Sequence, residues 1–226
     1  LFYLSGQPFG LAGFFLPCFY IFKAQMIKAF IITLSLLSVG FRLPDGFLVH
    51  RLIVLPESKL IINGKTNVNS FRCAIPKYIG KDTLVLQEGG KNVRPVFVKG
   101  AVSLDATSFD CGMAMMTSDF RKTINSKSYP NIVIDFISFE KNPSYKKPKE
   151  VFRGIVKISI SGVTKVFEMD CSIEPKPSGL IHLTGGRDFL FSDFNLETPS
   201  RMMGLVKVDQ SLNVGFHLVL KLDDDY

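Results

Sequence analysis

Tryptophan is absent from these 226 residues, and histidine and cysteine are scarce at three and four copies. Each shortage closes off a class of chemistry. His50, His182 and His217 stand far apart and make no His-Glu-x-x-His or comparable ligand spacing. No Cys-x-x-Cys pair occurs, so the usual spacing of a zinc site is missing too. There is no Gly-x-Ser-x-Gly elbow, and Gly185-Gly186 is too short to cradle a phosphate. The acidic run Asp223-Asp224-Asp225 offers a cation poor convergent geometry and reads as a solvated terminus. The expectation is a protein without a catalytic site, metal or cofactor.

Acidic residues are missing from positions 1–40, whose only charges are Lys23 and Lys28. From Met26 the chain has the three parts of a secretory signal: a positive start at Lys28, an apolar stretch Ala29–Leu37, and small residues Ser38 and Gly40. Cleavage is expected between Gly40 and Phe41, with residues 1–25 an extension upstream of a start at Met26. A membrane anchor is the competing reading. A spanning helix needs about 20 apolar residues, and Pro17, Lys23, Gln25 and Lys28 interrupt the stretch. Residues 1–40 are therefore assigned as extension and signal, and residues 41–226 as one exported domain, periplasmic or secreted, with no stable membrane span after processing.

Charge adds little. Taking Lys23 and Lys28 from the 27 basic residues leaves 25 against 20 acidic ones, a net charge of +5. The densest cluster, Lys141, Lys146, Lys147 and Lys149, is broken by Pro143 and Pro148 and reads as a solvated loop rather than an anion site. No basic face interleaved with aromatics is present, so nucleic acid is not an expected partner.

Cys73, Cys111 and Cys171 remain after processing, an odd number in an oxidising compartment. Cys171 alternates with Phe167 and Met169, as a small buried hydrophobe would. Cys73 and Cys111 sit near the turn-like breaks at Pro76 and Gly112 and form the expected disulfide.

What the chain has in abundance is alternation and phenylalanine, the latter at 21 copies. Phe152, Gly154, Val156, Ile158 and Ile160 share one face, as do Leu212, Val214, Phe216, Leu218, Leu220 and Leu222. Val96, Val98, Gly100, Val102 and Leu104 form a third such set, and Ile132, Ile134 and Phe136 a fourth. This is the period of half-buried antiparallel strands. Gly89-Gly90, Asn142-Pro143, Ser161-Gly162 and Gly185-Gly186 are the expected turns. Only Met113–Ile124 departs, placing Met116, Phe120 and Ile124 at helical spacing with Thr117 or Ser118 as a cap. Met113, Met115 and Met116 read as helix-to-barrel packing. Roughly eight strands suggest a closed all-β barrel, since closure removes exposed edges and leaves room for one small ligand.

Several segments in order resemble the YceI-like family. These are Ser58–Asn69, then Asp119-Phe120-Arg121-Lys122-Thr123-Ile124 followed by Tyr129-Pro130-Asn131-Ile132. The hairpin Ser161-Gly162-Val163-Thr164-Lys165, the segment Ser192-Asp193-Phe194-Asn195-Leu196 and the closing strand Val208–Leu222 follow. The chain departs from better-known members in carrying Met116-Thr117-Ser118-Asp119 where they have an Arg-Asp pair. It also carries Ser161 in place of a His. The resemblance implies a lipocalin-like, eight-stranded barrel that binds a long isoprenoid lipid, a polyisoprenoid or a quinone-like molecule, in an apolar channel.

The inward faces supply the candidate wall of such a channel: Val98, Val102, Ile132, Ile134, Phe136 and Phe152, then Val156, Ile158, Val214, Phe216, Leu218 and Leu220. Alternation is the same for a hollow and a filled barrel. A filled barrel acting as a protein-interaction module, or a barrel acting on a bound quinone, therefore stays open beside the carrier, as does a homodimer.

Overall fold

The computed structural model describes residues 48–223 apart from Lys91 and Lys147. The expected signal and its cleavage point lie outside the described residues.

The clearest alternation becomes the longest hairpin. β8 (Glu150–Ile160) and β9 (Val163–Pro175) pair without a break, from Ile160 opposite Val163 to Glu150 opposite Ile173. Between them Ser161 and Gly162 have φ of 51° and 81°, the two positive values that a tight turn matched to strand twist requires.

Around this hairpin the sheet closes. β1 (Val49–Val54) pairs with β4 (Thr83–Gln87), which pairs with β5 (Val96–Lys99). β5 and its continuation β6 (Ala101–Asp105) both pair with β7 (Asn131–Phe139), and β7 pairs with β8. Beyond β9 come β10 (Leu180–Leu190) and β13 (Ser211–Leu222), which returns to β1. With β5 and β6 taken as one bent strand, eight antiparallel strands form a closed barrel. β13 serves two neighbours. Its last residues, Leu220–Leu222, pair with β1, and Asn213–His217 pair with β2 (Lys59–Lys65), which carries β3 (Ser70–Ala74) on its other edge. Among the described residues the one α-helix is α1 (Ala114–Thr123), and β11 (Ser200–Arg201) and β12 (Val206–Lys207) make a small separate ribbon. No helix among them is long and apolar enough to cross a membrane.

The inward faces of β7, β8 and β13 are those the alternation indicates, with Ile132, Phe136, Phe152, Val156, Leu218 and Leu220 all buried. Four local expectations fail. Of the three methionines read as helix-to-barrel packing, Met116 packs on the core, but Met113 and Met115 are 54% and 63% exposed. Val98 is 68% exposed. Leu86 faces Phe97 and Val85 faces Lys99, so Val98 is the extra residue of a β-bulge. The bulge reverses the phase and turns Phe97 inward, onto Phe136 and Phe139. Gly185-Gly186 is no turn but the middle of β10. A Cβ on Gly185 would stand 2.5 Å from the ring of Phe216, so the glycine is there to admit that ring. Finally, α1 is capped by neither Thr117 nor Ser118, and Met113 holds the cap position without a side-chain bond. The Thr117 hydroxyl instead accepts the Cys111 amide at 3.0 Å.

Candidate functional site

The barrel is filled at one end and hollow at the other. At the filled end Phe136 packs edge-on against Phe216 at 5.4 Å and lies beside Phe97 and Phe139, while Phe139 meets Phe152 at 4.6 Å. Val102, Phe136, Phe216 and Leu218 border a void of only about 10 Å³. That holds one water at most and no ligand.

Toward the other end the volume opens to about 620 Å³. Of the twelve wall residues expected from the sequence, Ile132, Ile134, Ile158 and Val214 line this cavity. Val102, Phe136, Phe216 and Leu218 lie beneath it at the small void. Phe152, Val156 and Leu220 are packed in the core, and Val98 points outward. The rest of the wall comes from positions outside those twelve. Leu60 and Ile62 of β2 and Phe71 of β3 form one side; Phe189 of β10, with Phe191 and Phe194 of the short 3-10 turn that follows it, forms another. Signals for these existed in the alternation of β2 and in the run Phe189-Leu190-Phe191. Which end of the barrel stays empty depends on side chains meeting across it, which periodicity does not report.

Helix α1 forms part of the cavity wall, and its seat is firmly tied. Met116, Phe120 and Ile124 turn toward the core as their spacing indicates, and all three line the cavity. Just before the helix, Ala74 and Asp110 exchange two backbone hydrogen bonds of 2.9 Å, and Cys73 is joined to Cys111 by a disulfide. Arg121 donates to the carbonyls of Thr107 and Phe109. Asp105 accepts from the Thr107 amide at 2.8 Å. Burial disfavours its charge, but the bonds from Thr107 and Ser108 outweigh that and hold its carboxyl below the usual range. The remaining cysteine among the described residues, Cys171, is buried and free. Burial first, and then the neighbouring Asp170, push its thiol up to about 12, so it carries no nucleophilic thiolate at neutral pH.

The polar residues around the cavity are few: Thr66, Asn69, Thr123, and the pair Asp119 and Arg201. Arg201, on the ribbon, grips Asp119 of α1 with both ends of its guanidinium, Nε lying 2.5 Å from Oδ2. Donating to Asp119 raises the pKa of Arg201 further, so the cation is permanent. An apolar cavity with one fork of charge at its edge is the arrangement of a site for a lipid-like molecule, where contact area holds and a few polar groups orient.

On the outer face, opposite the inward Leu183, Phe216 and Leu218, register brings together two residues that looked unrelated in sequence. His182 and His217 meet across β10 and β13, Nδ1 to Nε2 at 3.0 Å. Burial, reinforced by His182 and Lys59, lowers the pKa of His217. No cluster of three metal-ligating side chains occurs among the described residues.

No family model matches the chain, and no curated protein matches it. Solved structures do. A polyisoprenoid binding domain from Saccharophagus degradans is 10% identical, with a TM-score of 0.56 over 78% of this chain and 100% of that one. BcnA of Burkholderia cenocepacia is 18% identical, with a TM-score of 0.54 over 72% of this chain and 96% of its own. A mutant YCEI protein of Campylobacter jejuni is 17% identical and matches at 0.46 over 63% of this chain and 81% of its own. The fold is that of BcnA and of the polyisoprenoid binding domain. At these identities, 10% and 18%, the likeness concerns the course of the chain.

Proposed function

We propose that this YceI-like barrel is a non-catalytic carrier, working outside the cytoplasm, that holds one long apolar lipid of polyisoprenoid or quinone-like type. The observation that carries the reading is the cavity of about 620 Å³, walled by aliphatic and aromatic side chains and open to polar groups only at its edge. Its size falls within the range of roughly 300–1,000 Å³ typical of small-molecule sites. The polyisoprenoid-binding protein of the same fold supports the ligand class. The Cys73–Cys111 disulfide and the signal-like residues 26–40 support export. In this reading the isoprenoid tail lies between Ile62, Phe120, Ile158 and Val214, and the polar head meets Arg201.

Mass spectrometry of organic extracts from the purified protein tests it. A co-purifying prenyl lipid, in stoichiometric amount and lost on delipidation, is the expected result. A delipidated protein that takes up no apolar probe would end the carrier reading and favour a protein-binding module.

A further inference from the structure

Exposed apolar side chains gather where the cavity opens. Val68, Met113 and Met115 line the cavity and are more than half exposed. Met203 and Leu205 stand in the turn of the small ribbon, between Arg201 and Val206, which also line it. Met203 is fully exposed and Leu205 is 74% exposed. Met203 has φ of 56°, a left-handed backbone that a side chain of this kind adopts only at a steric cost.

The polar groups of the same three tips are spent on holding one tip to another. Asn67, beside Val68, donates from Nδ2 to the Leu205 carbonyl at 2.8 Å. Its Oδ1 accepts the Lys207 amide at 3.0 Å, and its own amide donates to the Lys207 carbonyl at 3.1 Å. Arg201 then clasps Asp119 of α1, whose start carries Met113 and Met115. The result is one braced platform with its large apolar side chains turned out. Lys65 and Lys207 flank it, and the Asp209 amide donates to the Lys65 carbonyl. Along the three tips Lys65, Arg72, Arg201 and Lys207 are matched by Asp110, Asp119, Glu197 and Asp209, so net charge is small and apolar contact dominates.

We infer that this collar docks on the surface of a lipid bilayer, seating Val68, Met113, Met115, Met203 and Leu205 at the headgroup boundary. The inference rests on the carrier reading. A lipid too insoluble to cross water must pass between cavity and source along a continuous apolar surface, and the collar is continuous with the cavity lining. The lysine stems can lie along that boundary with their ammonium groups in water. Commitment to a bilayer, rather than a protein partner, follows from that continuity and from the weak charge.

The test is co-sedimentation with phosphatidylcholine vesicles, with and without phosphatidylglycerol. Wild type is compared with Met203→Ser/Leu205→Ser, both proteins being purified with the same N-terminus so that their difference isolates the collar. Both substitutions lie at exposed sites and leave the cavity lining intact. The expected result is vesicle binding that drops about tenfold in the variant, from fewer buried methylene groups, and changes little with salt. Uptake of a water-dispersed apolar probe should be unchanged, while prenyl-lipid transfer from vesicles slows by the same factor. Equal sedimentation of both proteins would overturn the inference. So would a wild-type dimer dispersed by the substitutions with no vesicle binding, which would assign the collar to a second copy. Loss of probe uptake by wild type is a separate result and strikes the carrier reading itself.

Discussion

A barrel hollow at one end should respond unequally to truncation at its two ends. Phe136 is 1% exposed and touches Phe97, Phe139 and Phe216, so Phe136→Ala empties a fully lined site. Such a change costs about 3–5 kcal/mol. Val214, opposite Ile62, faces a cavity and already lacks partners on that side. Val214→Ala loses part of the transfer energy of two methyl groups and creates no new void, about 1 kcal/mol. For a domain of this size 1 kcal/mol shifts Tm by roughly 2–4 °C. The first variant should therefore melt roughly 6–20 °C lower and the second no more than about 4 °C lower. The chain has no Trp, so far-ultraviolet circular dichroism of delipidated protein is the suitable assay. Lipid at about a hundred times its Kd should then add about 2.7 kcal/mol to wild type. Val214→Ala should lessen that increment by weakening binding. Equal costs at the two positions would refute the reasoning, because they would mean that the cavity end is packed in solution.

Other outcomes follow from the same geometry. Cys73→Ser should lower stability by about 4 kcal/mol in the loop-entropy account, for a separation of 38 residues, with Tm under oxidising conditions as the measure. In the native protein Cys171 should resist alkylation at pH 8, and it should react once the chain is unfolded. His217 binds its proton less readily in the fold than its ordinary 6.5, so the unfolded chain takes up that proton first. Its contribution is complete above about pH 6.5 and declines as pH falls below it; His217→Gln should flatten a urea-midpoint profile over that window. Gly185→Ala should cost about 1–3 kcal/mol by crowding the Phe216 ring, read from the same midpoints.

Period-two patterning revealed the barrel because each strand has one wet and one dry face, and this is a property of neighbouring residues. What it missed depends on partners elsewhere. The Val98 bulge becomes visible only when β4 is laid beside β5. Gly185-Gly186 resembles a turn until Phe216 on the next strand occupies the space. His182 and His217 meet through register, 35 residues apart. The division of the inward faces between floor and cavity wall is likewise a matter of distance across the barrel. Phe136 and Phe216 alternate as Ile132 and Val214 do, yet the first two fill the interior and the second two leave it open. The disulfide was legible because two breaks in patterning flanked the two cysteines, and Cys171 sat squarely within a dry face.

The double pairing of β13 also determines when the molecule can become whole. Leu52 meets Leu222 and Leu60 meets Phe216, so the first strands wait for the last. Until then β1 and β2 each present an unpaired edge, and β10 has one neighbour instead of two. Loop closure across nearly the entire domain precedes the contacts that reward it, which places such a chain among slow folders with a long aggregation-exposed interval. The β8–β9 hairpin, formed from adjacent sequence, is the natural early nucleus, whereas the cavity comes into being only with the final strand.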